Sequence, residues 1–128
     1  MKKLLTTLTA ALFAVTAFAG EFPDISITEL KTAIETKKVT VIDVNGSQSY
    51  KAGHIPGAID FVAKKAEIAK ALPSEKDALV VAYCGGPTCG AYAAAAKAAK
   101  ELGYTNVKHL SAGISGWKEA GGKLEPAK

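Results

Sequence analysis

Residues 80–90 read VVAYCGGPTCG, and an alanine-rich run follows them. The apolar residues 79–83 predict a buried strand, the glycines and proline predict a tight loop, and residues 91–102 predict a helix. Cys84, one of the two cysteines of the chain, stands at the first turn, and Cys89 lies near the end of the loop. A thiol here would face unpaired backbone N–H groups and the positive end of a helix dipole, which favour a thiolate and a bound anion. The stretch therefore indicates sulfur chemistry.

Strands alternate with helices along the rest of the chain. Apolar β-branched runs predict strands at residues 39–44 and 106–110. Weaker patterns predict an edge strand at 22–27, a turn and short strand at 54–59, and helices at 27–34 (capped by Thr28), 48–52, 64–72 and 115–120. The central strands are apolar without alternation, which is typical of the α/β class with a doubly wound, mostly parallel sheet flanked by helices. Ligands of such sheets bind beyond the carboxyl ends of the strands, where Cys84 is expected.

The first residues have the pattern of a secretory signal peptide. Met1-Lys2-Lys3 is basic, residues 4–18 are apolar and uncharged, and Ala17-Phe18-Ala19 supplies small residues for a signal peptidase. We expect a signal peptide at 1–19, one domain at 20–128, and a periplasmic or secreted location. A transmembrane anchor is the alternative, but the apolar run is shorter than the roughly 20 residues of a membrane span. No membrane anchor is therefore expected after cleavage.

All 16 basic residues of the chain are lysines, and arginine is absent. Removing Lys2 and Lys3 with the leader leaves 14 lysines against 12 acidic residues, scattered along the domain. This charge pattern does not indicate a nucleic-acid partner. The spacing of histidines and cysteines matches no standard zinc site, so neither a metal nor another cofactor is expected. The oligomeric state is not indicated.

The chain resembles the rhodanese-like domain family in three ordered motifs. The first is VIDV at 41–44 with YKAGHIPGA at 50–58, the second is Tyr83-Cys84 with its loop, and the third is LGYTNV at 102–107 with LSAGISGW at 110–117. The resemblance spans nearly the whole chain after the leader. It implies a rhodanese-like sulfurtransferase that takes sulfane sulfur from a donor, holds it as a persulfide, and passes it to a thiol or another nucleophile.

On this resemblance, Cys84 is the catalytic nucleophile. A persulfide anion needs several hydrogen-bond donors in little space, and glycines let the backbone approach it closely. The expected substrate-binding cradle consists of backbone N–H groups, those of Gly85, Gly86, Thr88, Cys89 and Gly90. The interval from Cys84 to Gly103 is longer than the usual family pattern, which leaves the loop geometry open.

The sequence lacks the cationic residues that many members of the family carry near the active-site cysteine. Many thiosulfate-handling members carry a cationic residue in the loop, whereas this loop has none, and Asn45 stands where the family usually has arginine. Thiosulfate is a dianion, so only backbone dipoles or a neighbouring lysine would hold it. We therefore expect modest thiosulfate activity and favour a protein persulfide, a polysulfide or another thiol-bound donor as partner. The lack of arginine also argues against a phosphatase, which needs a bidentate clamp.

Cys89 leaves several interpretations open. As a resolving thiol it would attack a Cys84 persulfide or sulfenic acid and form a disulfide. As a redox partner of Cys84 it would make the chain a thiol–disulfide redox protein. Alternatively, Cys89 is a small buried residue at the helix start, and the domain could also be a catalytically silent rhodanese-like binding module.

We expect structural roles for four other side chains. Asp43 is expected to position the neighbouring loop through hydrogen bonds, and His54 to make structural hydrogen bonds in its turn. His109 is expected to be structural or exposed, and Trp117 is expected to anchor the core. The alanines of residues 93–99 are expected to pack a helix closely against the sheet.

Overall fold

The computed structural model describes residues 22–126. The chain order is α1 (Ile27–Glu35), β1 (Thr40–Asp43), α2 (Ser47–Ala52), β2 (Ile59–Asp60), α3 (Phe61–Lys64), α4 (Ile68–Ala71), β3 (Leu79–Tyr83), α5 (Tyr92–Glu101), β4 (Asn106–His109) and α6 (Gly113–Glu119). The predicted signal peptide and its cleavage site lie outside the described residues. Within the described range, none of the helices combines the length and the apolar character that crossing a membrane requires.

The four strands form one parallel sheet in the order β2-β1-β3-β4. The central strand β3 pairs with β1 through Val81 opposite Val41, and with β4 through Val80 opposite Val107. The predicted edge strand at 22–27 is reduced to a single parallel bridge, which joins Asp24 to His109, the last residue of β4. The predicted parallel sheet is confirmed, and the residue after β3 lies at its carboxyl edge.

Helices cover both faces of the sheet, as the apolar strands predict. Val80 and Ala82 of β3 pack in one buried cluster with Ala95, Ala96 and Ala99 of α5, whose side chains are wholly inaccessible. The alternate β3 residues Val81 and Tyr83 pack in a second cluster with Leu30 of α1 and Trp117 of α6. The sheet is therefore doubly wound, and both the alanine face of α5 and the anchor role of Trp117 are confirmed.

Helix termini differ from the sequence predictions for identifiable reasons. Ser26, not Thr28, caps α1, because its side-chain oxygen accepts a 3.0 Å hydrogen bond from the N–H of Glu29. The predicted helix at 64–72 begins earlier, at α3, because the Asp60 carboxylate accepts from the first N–H groups of that helix. A 3-10 turn at Lys65–Glu67 then separates α3 from α4. The last helix, α6, begins at Gly113 and not at residue 115.

Candidate functional site

The cysteine loop occupies residues 84–91, between the carboxyl end of β3 and the start of α5. Cys84 is 1% exposed, whereas Cys89 is only partly buried. A disulfide joins the two cysteines, whose Cα atoms lie 6.2 Å apart, so the described residues contain no free thiol. The structure therefore shows the oxidised form of this loop and places both sulfurs within bonding reach.

The hydrogen bonds of the loop backbone show which of the predicted cradle N–H groups are already used. The Cys89 N–H donates a 3.1 Å hydrogen bond to the Gly86 carbonyl and closes a turn around Pro87. Within residues 22–126, no hydrogen bond joins the N–H groups of Gly85, Gly86, Thr88 or Gly90 to another residue. Four of the five predicted donors are thus available to an anion. Their role in sulfur binding stays a prediction.

The start of α6 contacts the cysteine loop through two backbone hydrogen bonds. The N–H of Ile114 donates to the Cys84 carbonyl, and the N–H of Ser115 donates to the Gly85 carbonyl, both at 3.0 Å. Gly113 has φ +63, and a Cβ placed on it would stand 2.5 Å from the Gly85 carbonyl carbon and the Gly86 nitrogen. Only glycine allows both this backbone conformation and this approach. The first turn of α6 therefore satisfies the carbonyls of Cys84 and Gly85 and fixes the start of the loop.

Two buried side chains, Tyr83 and Asp43, connect the carboxyl ends of β3 and β1. The Tyr83 hydroxyl donates a 2.6 Å hydrogen bond to one Asp43 oxygen, and the Asn45 N–H donates a 2.7 Å bond to the other. The N–H of Ile55 donates to the Tyr83 hydroxyl at 3.1 Å. Burial raises the pKa of Asp43 above its ordinary value, and burial with the Asp43 contact raises the pKa of Tyr83. Asp43 positions the neighbouring loop, as the sequence predicts.

Both histidines are structural. The Nδ1 of His54 donates to the Tyr50 carbonyl at 2.9 Å, and the two rings stack 3.7 Å apart. His109 is buried and stacks 3.4 Å from the ring of Tyr92, the first residue of α5. Burial lowers the pKa of His109, which favours the neutral form of its ring.

Sequence reasoning missed two features of the site, the contact of Gly113 with the loop and the stack of Tyr92 on His109. The signal for the first was the glycine inside the SAGISG run, which marks a special backbone position at a helix start. No sequence signal pointed to the stack. As for a metal, no group of three His, Cys, Asp or Glu residues suited to hold one exists in the part of the chain that the structure describes.

Comparison with protein families gives a match over most of the chain. The model of the rhodanese-like domain matches residues 26–120, a range that includes the whole sheet, the cysteine loop and the helices from α1 to α6. The match covers well over half of the chain. The three sequence motifs all lie within the matched range.

Two individual proteins and one solved structure are similar to this chain over most of its length. The chain is 38% identical over 102 residues to the HTH-type transcriptional regulator Rv0324 of Mycobacterium tuberculosis, covering 77% of this chain but only 44% of the regulator. It is 29% identical over 102 residues to thiosulfate sulfurtransferase GlpE of Shewanella oneidensis, covering 79% of this chain and 97% of that protein. The solution structure of the rhodanese-like domain of Alr3790 from Anabaena sp. superposes with a TM-score of 0.66 at 26% identity, covering 82% of this chain and 80% of that one.

Replacing Gly113 with alanine should damage the loop. The added Cβ would meet backbone atoms of the loop at 2.5 Å, and the positive φ adds strain, so we expect a loss of more than about 2 kcal/mol in the free energy of unfolding. Gly121→Ala is the matched control, because Gly121 has φ +80 but open space around its Cβ position. Urea denaturation measures both variants. Equal losses would show that strain alone, and not the contact with the loop, makes Gly113 necessary.

Asp43 should give the stability a characteristic pH dependence. Because the Asp43 pKa is raised in the folded state, the folded protein keeps this proton at pH values where the unfolded chain has lost it. The contribution of Asp43 to the free energy of unfolding is therefore greatest at pH values below 3.8, the ordinary pKa of an aspartate. This contribution falls as the pH rises through the raised pKa of the folded state. Asp43→Asn removes this contribution. The stability of wild type relative to the variant, measured by urea denaturation, should decrease with rising pH, and a constant difference would contradict the assignment.

Proposed function

Because this chain belongs to the rhodanese-like domain family, we propose that it is a sulfurtransferase in which Cys84 carries the transferred sulfur. The observation that carries this proposal is the position of Cys84. It follows the central strand of the sheet and begins a loop with four unoccupied N–H groups. Backbone N–H groups without other partners can donate to a thiolate and to a terminal persulfide anion and so stabilise them.

The proposed reaction has two sulfur transfers. In the first, the Cys84 thiolate attacks the outer sulfur of a donor persulfide R–S–SH, forms Cys84–S–SH, and releases R–S⁻. In the second, an acceptor thiolate attacks the outer sulfur of Cys84–S–SH, forms its own persulfide, and releases the Cys84 thiolate. Neither step changes the number of electrons held by protein and substrates together.

The same loop supports a second candidate role, because Cys84 and Cys89 form a disulfide in the structure. A Cys89 thiolate that attacks the inner sulfur of Cys84–S–SH would form this disulfide and release HS⁻. An external dithiol would then reduce the disulfide and restore both thiols. In this role, Cys89 is the resolving thiol, and the chain is a thiol–disulfide redox protein as well as a sulfur carrier.

We also propose that the protein works in the periplasm or outside the cell. The basic, apolar and small-residue pattern of residues 1–19 supports export. The disulfide between Cys84 and Cys89 agrees with an oxidising compartment. The proposed partners are a small sulfur donor or a protein persulfide, and a thiol acceptor.

Cysteine variants test the sulfur-carrier role. Reduced wild-type protein exposed to a sulfane donor should gain the mass of one sulfur atom on Cys84, and Cys84→Ser should gain none. Cys89→Ser should hold the persulfide longer, because its resolving thiol is absent. Intact and peptide mass spectrometry measure all three proteins. Equal behaviour of wild type and Cys84→Ser would refute the carrier role and favour a silent binding module.

A redox titration tests the second role separately. With a thiol–disulfide buffer, the wild-type protein should pass reversibly between a dithiol and an intramolecular disulfide, while Cys89→Ser should form only mixed disulfides. Alkylation followed by mass spectrometry counts the thiols at each step. A pair of cysteines that does not interconvert would exclude the resolving role of Cys89 and leave the carrier role of Cys84 untouched.

A further inference from the structure

A cavity of about 270 Å³ lies between the segment that follows β1, α2 and α6, and residues that contact the cysteine loop form part of its lining. Its lining includes Asn45 after β1, Ser49 on α2, Ile114 and Lys118 on α6, and Leu124 near the end of the described chain. The cavity is therefore built from separate segments that meet beside the loop. Neither sulfur transfer at Cys84 nor its resolution by Cys89 assigns a role to it.

Two lining residues connect the cavity directly with the loop. The Oδ1 atom of Asn45 lies 3.8 Å from the position that a Cβ on Gly85 would take. Ile114 donates its N–H to the Cys84 carbonyl at 3.0 Å. A molecule in this cavity would thus lie against two residues that themselves contact the cysteine loop.

Lys118 gives the cavity its charge. It is the one charged residue among those that line this cavity, and in the described part of the chain it forms no ion pair. The loop itself contains no cation, and the sequence has no arginine. Lys118 therefore supplies a positive side chain close to the loop that can attract an anionic sulfur donor.

The remaining lining matches an organic molecule better than a small inorganic anion. Ile114 and Leu124 present apolar surface, and Asn45 and Ser49 present hydrogen-bonding groups. Small-molecule sites combine such apolar walls with a few convergent polar groups. Thiosulfate has no carbon atoms to use the apolar walls, whereas a small organic thiol can fill them.

We propose that this cavity binds the carrier part of an anionic organic persulfide, the persulfide of a small thiol that bears a carboxylate. The carboxylate lies at Lys118, the carbon chain lies along Ile114 and Leu124, and the outer sulfur faces the loop. This proposal rests on the proposed sulfurtransferase function. It names the class of donor for that function and makes Lys118 a residue that determines specificity.

The test compares two donors that differ in charge. The probes are the persulfides of 3-mercaptopropionate, whose carrier part is anionic, and of 2-mercaptoethanol, whose carrier part is neutral. The protein is the reduced Cys89→Ser variant, which cannot resolve the persulfide, and sulfur uptake is followed by mass spectrometry over a range of donor concentrations. In this background, Lys118→Ala should raise the half-saturating concentration of the anionic donor about threefold to fivefold, as for a partly exposed ion pair.

Four controls make the result specific. Lys118→Ala should leave the neutral donor unchanged, and Lys118→Arg should keep the affinity for the anionic donor. Lys65→Ala removes the same charge from an exposed position outside this cavity and should change neither donor. Added salt should reduce the preference for the anionic donor in the protein that retains Lys118, because salt screens exposed charges.

The possible outcomes distinguish the cavity assignment from the sulfurtransferase function. If Lys118→Ala leaves the half-saturating concentration of the anionic donor unchanged while sulfur uptake continues, the cavity assignment is overturned. Equal effects of Lys118→Ala and Lys65→Ala would also overturn it, since they would reflect net charge alone. A protein that gains sulfur from neither donor, even at saturating concentration, would contradict the sulfurtransferase function and the cavity assignment together.

Discussion

The contact of Gly113 with the Gly85–Gly86 peptide fixes the loop on which the chemistry depends. Through this contact, the first turn of α6 comes close enough to donate hydrogen bonds to the carbonyls of Cys84 and Gly85. The N–H groups of Gly85, Gly86, Thr88 and Gly90 form no hydrogen bond within the described residues. A side chain at position 113 would separate the helix from the loop and change the loop conformation. The anion-binding role that we propose for the loop thus depends on packing between two backbones.

The persulfide that we propose on Cys84 and the disulfide with Cys89 exclude each other, since both use the same sulfur atom. The structure shows the disulfide, so the proposed sulfur transfer requires a reductant to act first. Cys84 is almost wholly buried and Cys89 is partly exposed, which makes the Cys89 sulfur the accessible point of attack for an external thiol. Such an attack releases Cys84 as the thiolate, the form that the proposed first sulfur transfer requires.

The elements that depend on local pattern were predictable from the sequence. The unbroken apolar run of β3 and the alanine run of α5 indicated their positions, and the order of strand, loop and helix placed Cys84 at the carboxyl edge of the sheet. Contacts between distant segments were not predictable in this way. The approach of Gly113 to Gly85, and the cavity shared by Asn45 and Lys118, exist only because the parallel sheet aligns the ends of separate strands. The cap of α1 was misplaced because Ser26 and Thr28 are both good capping residues.

The central claim is that the loop stabilises a thiolate on Cys84, and the pKa of this thiol tests it most directly. Two effects oppose each other, because burial of Cys84 disfavours the thiolate and the unoccupied N–H groups favour it. The rate of alkylation of Cys84 as a function of pH, measured on the reduced Cys89→Ser protein, gives the pKa. The account predicts a value clearly below about 8.5, the ordinary value of a cysteine thiol. A value at or above this would show that burial outweighs the N–H groups and would contradict the account.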